Sequence, residues 1–198
     1  MNSLINTNNG DCHEHHRRCV DPCPPQYCEF KSHEELHPIP GGALLEIGKG
    51  SSVLINAAIA PTITAATPRL IAQVTLDPTG FCFPNLKIEF SSLINLTGIL
   101  GVGDSITIQL SRIRYGYSAS SVKEPLQTYT ISLPTLAAAI NTASIPFSFI
   151  YGEENIRLRE STYLVEVVAA SLLVADTGNV QIQNANIAAL AVGGVRVD

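Results

Sequence analysis

The chain has no tryptophan and one methionine, and beyond His37 it has no histidine. After Cys28 a single cysteine remains, Cys82. Charged residues make up 15% and aromatics 6%, against 45% hydrophobic residues. Each shortage excludes something. Without histidine past residue 37, the body alone cannot build a Ser-His-Asp or Cys-His nucleophile set. A formal net charge of −5 leaves no basic footprint, and the pair Arg17–Arg18 is offset by Asp11, Glu14 and Asp21, so nucleic acid is not an expected partner. The longest apolar stretch, residues 163–175, is broken by Glu166 and Ser171. It falls short of the roughly 18–20 residues a membrane helix needs, so no membrane span is expected. Met1–Gly10 is polar and has no apolar h-region, which reads as no secretory signal and as synthesis in a cytosol.

Sites for small molecules are equally scarce. No P-loop is present. Gly48-x-Gly50 and Gly101-x-Gly103 lack the helix and the third glycine of a dinucleotide fingerprint and read as strand-end turns. Glu153–Glu154 reads as a solvated acidic loop. The expectation is a protein that is not an enzyme and has no cofactor. Low charge on a chain of 198 residues further suggests a surface partly covered by other subunits.

What is present falls into two blocks. Residues 1–42 are Asn-rich, then Cys/His-rich, then punctuated by Pro22, Pro24, Pro25, Pro38 and Pro40. Proline there breaks helices and favours extended, polyproline-like backbone. This block reads as an extended N-terminal arm ordered by a partner, with Gly41–Gly42 as a flexible joint. Residues 43–198 read as one β domain.

In the second block apolar residues recur with period two. Strands are expected at Ala43–Ile47, Ser52–Ile59 and Arg69–Asp77, the last with Leu70, Ala72, Val74 and Leu76 on one face. Leu86, Ile88 and Phe90 alternate with polar residues, as do Ile106, Ile108 and Leu110, and then Tyr129, Ile131 and Leu133. The phase slips at Arg112–Ile113, which suggests a bulge. Further strands are expected at Ile145–Tyr151, Ser161–Leu173 and Val180–Val192, and only Leu133–Asn141 could hold a helical turn. Turn residues separate these runs. Eight or nine strands in this length fit an all-β, two-sheet antiparallel jelly-roll sandwich.

The arm holds Cys12, Cys19, Cys23 and Cys28 with His13, His15, His16, His33 and His37. Thiolates and imidazoles suit zinc or copper, so a metal-binding coat module is one reading. No C-x-x-C is present and the spacing matches no standard finger. The other readings are a solvated His-rich tail or cysteines destined for inter-subunit disulfides. Cys82, between Phe81 and Phe83, reads either as a buried small hydrophobe or as the acceptor for an arm thiol from another subunit. Five is odd, so in a polar fibre of equivalent subunits at least one thiol stays unpaired or binds metal; a like-with-like bond needs a two-fold axis that such a fibre lacks.

At Val74–Pro78 (VTLDP), Pro84–Ser92 (PNLKIEFSS), Leu44–Gly50 (LLEIGKG) and the Ala/Val-rich final strands, the chain resembles the endospore appendage (Ena-type) pilins of endospore-forming bacteria. The resemblance runs from about Ala43 to the C-terminus. It implies a jelly-roll subunit that forms a polar helical homopolymer by sheet augmentation. The connector role would fall to Cys12, Cys19, Cys23 and Cys28, and the acceptor role to Cys82. It also implies synthesis in the mother cell and display at the spore surface, where other spore-surface proteins could be neighbours. The arm is longer than the family's pattern, holds all the histidines, and faces one acceptor cysteine instead of several. A closed trimer of the C1q or tumour-necrosis-factor type is a third reading, disfavoured by the low aromatic content.

Overall fold

The computed structural model describes residues 41–114, 122–137, 142–154, 160–172 and 177–195. Nine strands are present: β1 (Gly41–Lys49), β2 (Val53–Asn56), β3 (Arg69–Leu76), β4 (Phe81–Thr97), β5 (Ser105–Arg114), β6 (Val122–Ser132), β7 (Thr142–Glu153), β8 (Ser161–Ser171) and β9 (Asn179–Val195). One sheet has the order β1-β9-β4-β7, with β2 also on β9; the other is β3-β8-β5-β6. Every pairing is antiparallel. This is the jelly-roll sandwich that the period-two pattern predicts. Among the described residues no helix is long and apolar enough to cross a membrane.

Alternation creates the core. Ile88, Ile94 and Leu96 of β4 and Ile182, Ile187 and Ala189 of β9 face Ile106, Ile108 and Leu110 of β5 and Val165 and Val167 of β8, all fully buried. β-branched residues suit this layer, because their restricted side chains pack on a pleated surface.

Several expectations change in detail. Gly41–Gly42 is the start of β1, paired with Gly194 and Gly193, and not a joint. The second strand is short because Asn56 turns the chain, its Oδ1 accepting from the Ala58 and Ile59 N–H groups at 3.1 and 3.0 Å. A single 3-10 turn follows at Ala60–Thr62. Residues 133–137 of the expected helical turn are irregular, with Leu136 bridged to Leu100. In β3 the alternation breaks: Ile71 is an extra residue between Leu70 and Ala72, so Ile71 and Ala72 are both buried and Leu70 is exposed. The bulge expected at Arg112–Ile113 is absent from β5. The extra residue is Leu126 on β6, opposite Leu110–Ser111. On β5 the alternation of burial stops at Leu110, Ser111 and Arg112, all three buried, and Arg112 lies opposite Tyr163.

One lateral side of the sandwich is closed by backbone. Where β1 passes to β2 the chain crosses between the sheets: Gly50 N–H donates to Ala185 O and Ser51 N–H to Ile71 O, both at 2.9 Å. A Cβ on Gly48 would sit 2.0 Å from Gln73 O, and one on Gly50 2.4 Å from Ile71 O. The Gly-x-Gly pair therefore serves close approach of two backbones and not a turn. Gly48→Ala should cost about 1–3 kcal/mol, the usual penalty for overpacking. Urea unfolding checks this, and an unchanged midpoint would contradict the close approach.

Candidate functional site: the margins of the sandwich

A sandwich ends in border strands, and a border strand offers unpaired backbone groups to another chain. The four borders here differ. β3 is engaged by the crossing at Gly50–Ser51. β6 and β7 carry Pro125 and Pro146 within their runs, a residue that a sheet tolerates on its edge and that removes a donor there. β1 contains no proline, and among the described strands it pairs with β9 alone. Its Gly41–Ile47 stretch is thus the margin best able to accept a further strand.

The β6–β7 side is closed by side chains. Tyr129 of β6 stacks on Phe149 of β7, with centroids 4.8 Å apart, and meets Phe147 edge-on at 5.7 Å. Phe149 in turn stacks on Phe90 at 5.3 Å. Beside this cluster Arg112, buried, links three strands. Its Nη1 donates to Glu153 Oε2 at 2.6 Å and its Nη2 to Glu124 Oε2 at 2.9 Å. Arg114 Nη2 also donates to Glu124 Oε2, at 2.9 Å, and the Tyr151 hydroxyl to Glu153 Oε1, at 2.6 Å. Glu153 is accordingly part of an inter-sheet clasp and not a solvated loop residue. Sequence reading missed it because a buried arginine interrupts the apolar pattern; its only trace was the phase slip at Arg112.

The electrostatics follow from this geometry. The hydrogen bond from Arg112 holds the Glu124 carboxyl below its ordinary range. Burial pushes the Tyr163 phenol, beside the guanidinium, up to about 12. Burial and the Glu153 carboxylate raise Tyr151 as well. The set is a structural ion-pair network between sheets; it contains no nucleophile beside a base. Arg112→Ala should destabilise the body by about 3 kcal/mol, because breaking a buried pair strands its partners. A loss under 1 kcal/mol in chemical denaturation would contradict the clasp.

Tyr163 contributes to the alkaline response in the same direction as Tyr151. Its folded phenol ionises near 12 and an unfolded one near 10. Its contribution is therefore complete below about pH 10 and is lost as pH climbs to 12. Tyr163→Phe should flatten the stability decline in that window; an identical decline in the variant would refute the assignment.

The cysteines divide sharply. Cys12, Cys19, Cys23 and Cys28 lie outside the described residues, as do all five histidines, so the metal and disulfide readings of the arm fall there too. Among the described residues no group of three or more His, Cys, Asp or Glu side chains is placed to hold a metal ion. Cys82 lies near the start of β4, opposite Gly194 of β9. Gly194 in turn pairs with Gly41. Gly41, Gly194 and Cys82 therefore form one row across three strands, and about 10 Å separates the backbone at Cys82 from the point where the arm joins β1. That juxtaposition depends on β9 and has no signature in the local sequence.

No curated protein matches the chain. Among solved structures it is similar to the Eiger TNF from S. frugiperda, with 14% identity, a TM-score of 0.41, and coverage of 79% of this chain and 96% of that one. The infectious bursal disease virus Gx strain structure matches with 14% identity and a TM-score of 0.32, over 79% of this chain and 37% of that one. A T13 particle of the same virus gives 8% identity and a TM-score of 0.32. Residues 41–192 match a family profile that spans the whole run from β1 into β9, and the chain belongs to that family, described as a domain of unknown function (DUF4489).

Proposed function

We propose that the chain is a structural subunit that joins copies of itself head to tail into a disulfide-stabilised helical fibre at the spore surface. The observation that carries this reading is the row Gly41–Gly194–Cys82, which sets the root of a cysteine-bearing arm, a free β1 margin and a lone body cysteine at one end of the sandwich. A head-to-tail contact of unlike surfaces propagates when its rotation does not close. Strand addition at β1 would supply main-chain hydrogen bonds. A disulfide would then make dissociation depend on reduction. The Ena-type resemblance supports the same arrangement and the spore-surface setting.

Chain length separates the arm thiols. Cys28 precedes Gly41 by 41 − 28 = 13 residues, at most roughly 47 Å when fully taut. The 17-residue strand β4 runs roughly 56 Å, which approximates the spacing between successive Cys82 residues in an end-to-end stack. Cys19 and Cys12, at 41 − 19 = 22 and 41 − 12 = 29 residues, span about 70–100 Å and reach it with slack. Cys23, at 41 − 23 = 18 residues, reaches about 59–65 Å and just covers it. The reading therefore assigns the Cys82 bond to Cys12, Cys19 or Cys23 of a neighbour and leaves Cys28 for other pairing.

Oxidised full-length protein should run as a ladder in non-reducing detergent gels and collapse to one band on reduction. Cys82→Ser should keep its fold and lose the ladder, and peptide mapping should find Cys82 joined to Cys12, Cys19 or Cys23. A ladder that survives Cys82→Ser would end the acceptor role of Cys82.

A further inference from the structure

The outer face of the five-stranded sheet carries apolar side chains that the core does not use. Ala43, Leu45 and Ile47 of β1 lie opposite Val192, Leu190 and Ala188 of β9. Lys87 and Glu89 of β4 continue the rows, and Ile150 of β7 stands across from Glu89. Leu45, Ile47, Ile150 and Val192 are 57%, 69%, 64% and 43% exposed. Between Ile47 and Ile150 lies a shallow depression of about 320 Å3, lined also by Ser91, Ser148 and Ala188. The charges in the middle of the face neutralise each other, with Lys87 Nζ 2.5 Å from Glu89 Oε1.

The size of this surface restricts what can cover it. Large apolar side chains grouped on one exposed face, rimmed by polar residues, mark an interaction surface. Four exposed aliphatic side chains make a small surface beside the roughly 800 Å2 per partner that a stable interface between freely diffusing proteins buries. Such a face is effective for a partner already held nearby, where a second link raises the local concentration. The chain carries that link, because forty residues precede Gly41 and Gly41 opens β1 at the border of the patch. Those residues are a poor cover themselves, with nine charged side chains and five histidines among them.

We infer that this face docks the body of a second copy of the chain, held in place by the N-terminal arm. The inference rests on the self-assembly reading above and names its non-covalent surface. Packing a neighbour over Leu45, Ile47 and Val192 removes from water the large aliphatic side chains of the β1–β9 border. It also places that neighbour beside the open edge of β1, so that one contact uses side chains and backbone together.

The test keeps the full-length protein reduced, so that association is non-covalent, and follows it by sedimentation over a concentration series. Wild type should associate reversibly, and Ile47→Lys should weaken that association at least tenfold with circular dichroism and the urea midpoint retained. Leu45→Lys, a second exposed position, should do the same. Thr128→Lys, on the exposed outer face of the other sheet, controls for added charge. Equal association of Ile47→Lys and wild type would overturn the inference, as would wild type that stays monomeric throughout. Filaments that form equally from both proteins after oxidation would remove the docking face and keep the fibre. Reversible association lost in Ile47→Lys, with no filaments from oxidised wild type, would keep the face and remove the fibre.

Discussion

Burial of aliphatic side chains between two antiparallel sheets is the interaction on which the rest depends. Ile88, Ile94, Ile106, Ile108 and Ile182 are completely removed from water, and each contributes roughly 1.5–3 kcal/mol relative to exposure. A layer of this kind is stable only if its open sides are sealed. The molecule seals one side with backbone, through the glycines at 48 and 50, and the other with the Tyr129–Phe149 stack and the Arg112–Glu153 clasp. The two solutions differ in what they leave outside. The β6–β7 side carries prolines in its border strands, whereas β1, which among the described strands pairs with β9 alone, lies beside an apolar outer face.

That asymmetry is what the proposed assembly would use. A subunit whose borders were all blocked would stay alone, and one whose borders were all open would aggregate without register. Here the free edge, the exposed aliphatic rows, Cys82 and the root of the arm share one side or one end of the body. Weak non-covalent docking would then set orientation, and a thiol bond would fix it afterwards. The buried ion pairs sit at that end as well. They hold β5, β6 and β7 in a defined relation to one another.

Much of the fold was legible in the sequence. β4 and β7 alternate cleanly because each has one face in the core, as β5 does up to Leu110, and their centres lie where the pattern puts them. The bounds were misread wherever tertiary context replaced local chemistry. Gly41–Gly42 looks like a joint in isolation, yet it pairs with a second Gly-Gly stretch at the far end of the chain. Ile71 and Ala72 are both buried because β3 bulges against β8, which no local signal announces. Arg112 reads as the place of a bulge and Glu153 as a solvated loop residue, since a buried cation cannot be told from an exposed one until its carboxylates are placed. Of the candidate site, the sequence singled out Cys82 and the arm cysteines. It did not reveal which border is free, because the meaning of Pro125 and Pro146 depends on their strands lying at an edge.

The most direct measurement is a helical reconstruction by electron microscopy of the oxidised, full-length protein. The account predicts a polar filament in which every subunit covers the Leu45–Ile47–Val192 face of its neighbour and density leads from each arm towards another subunit's Cys82. A preparation containing only dispersed monomers, or a closed particle that leaves this face in water, would contradict it.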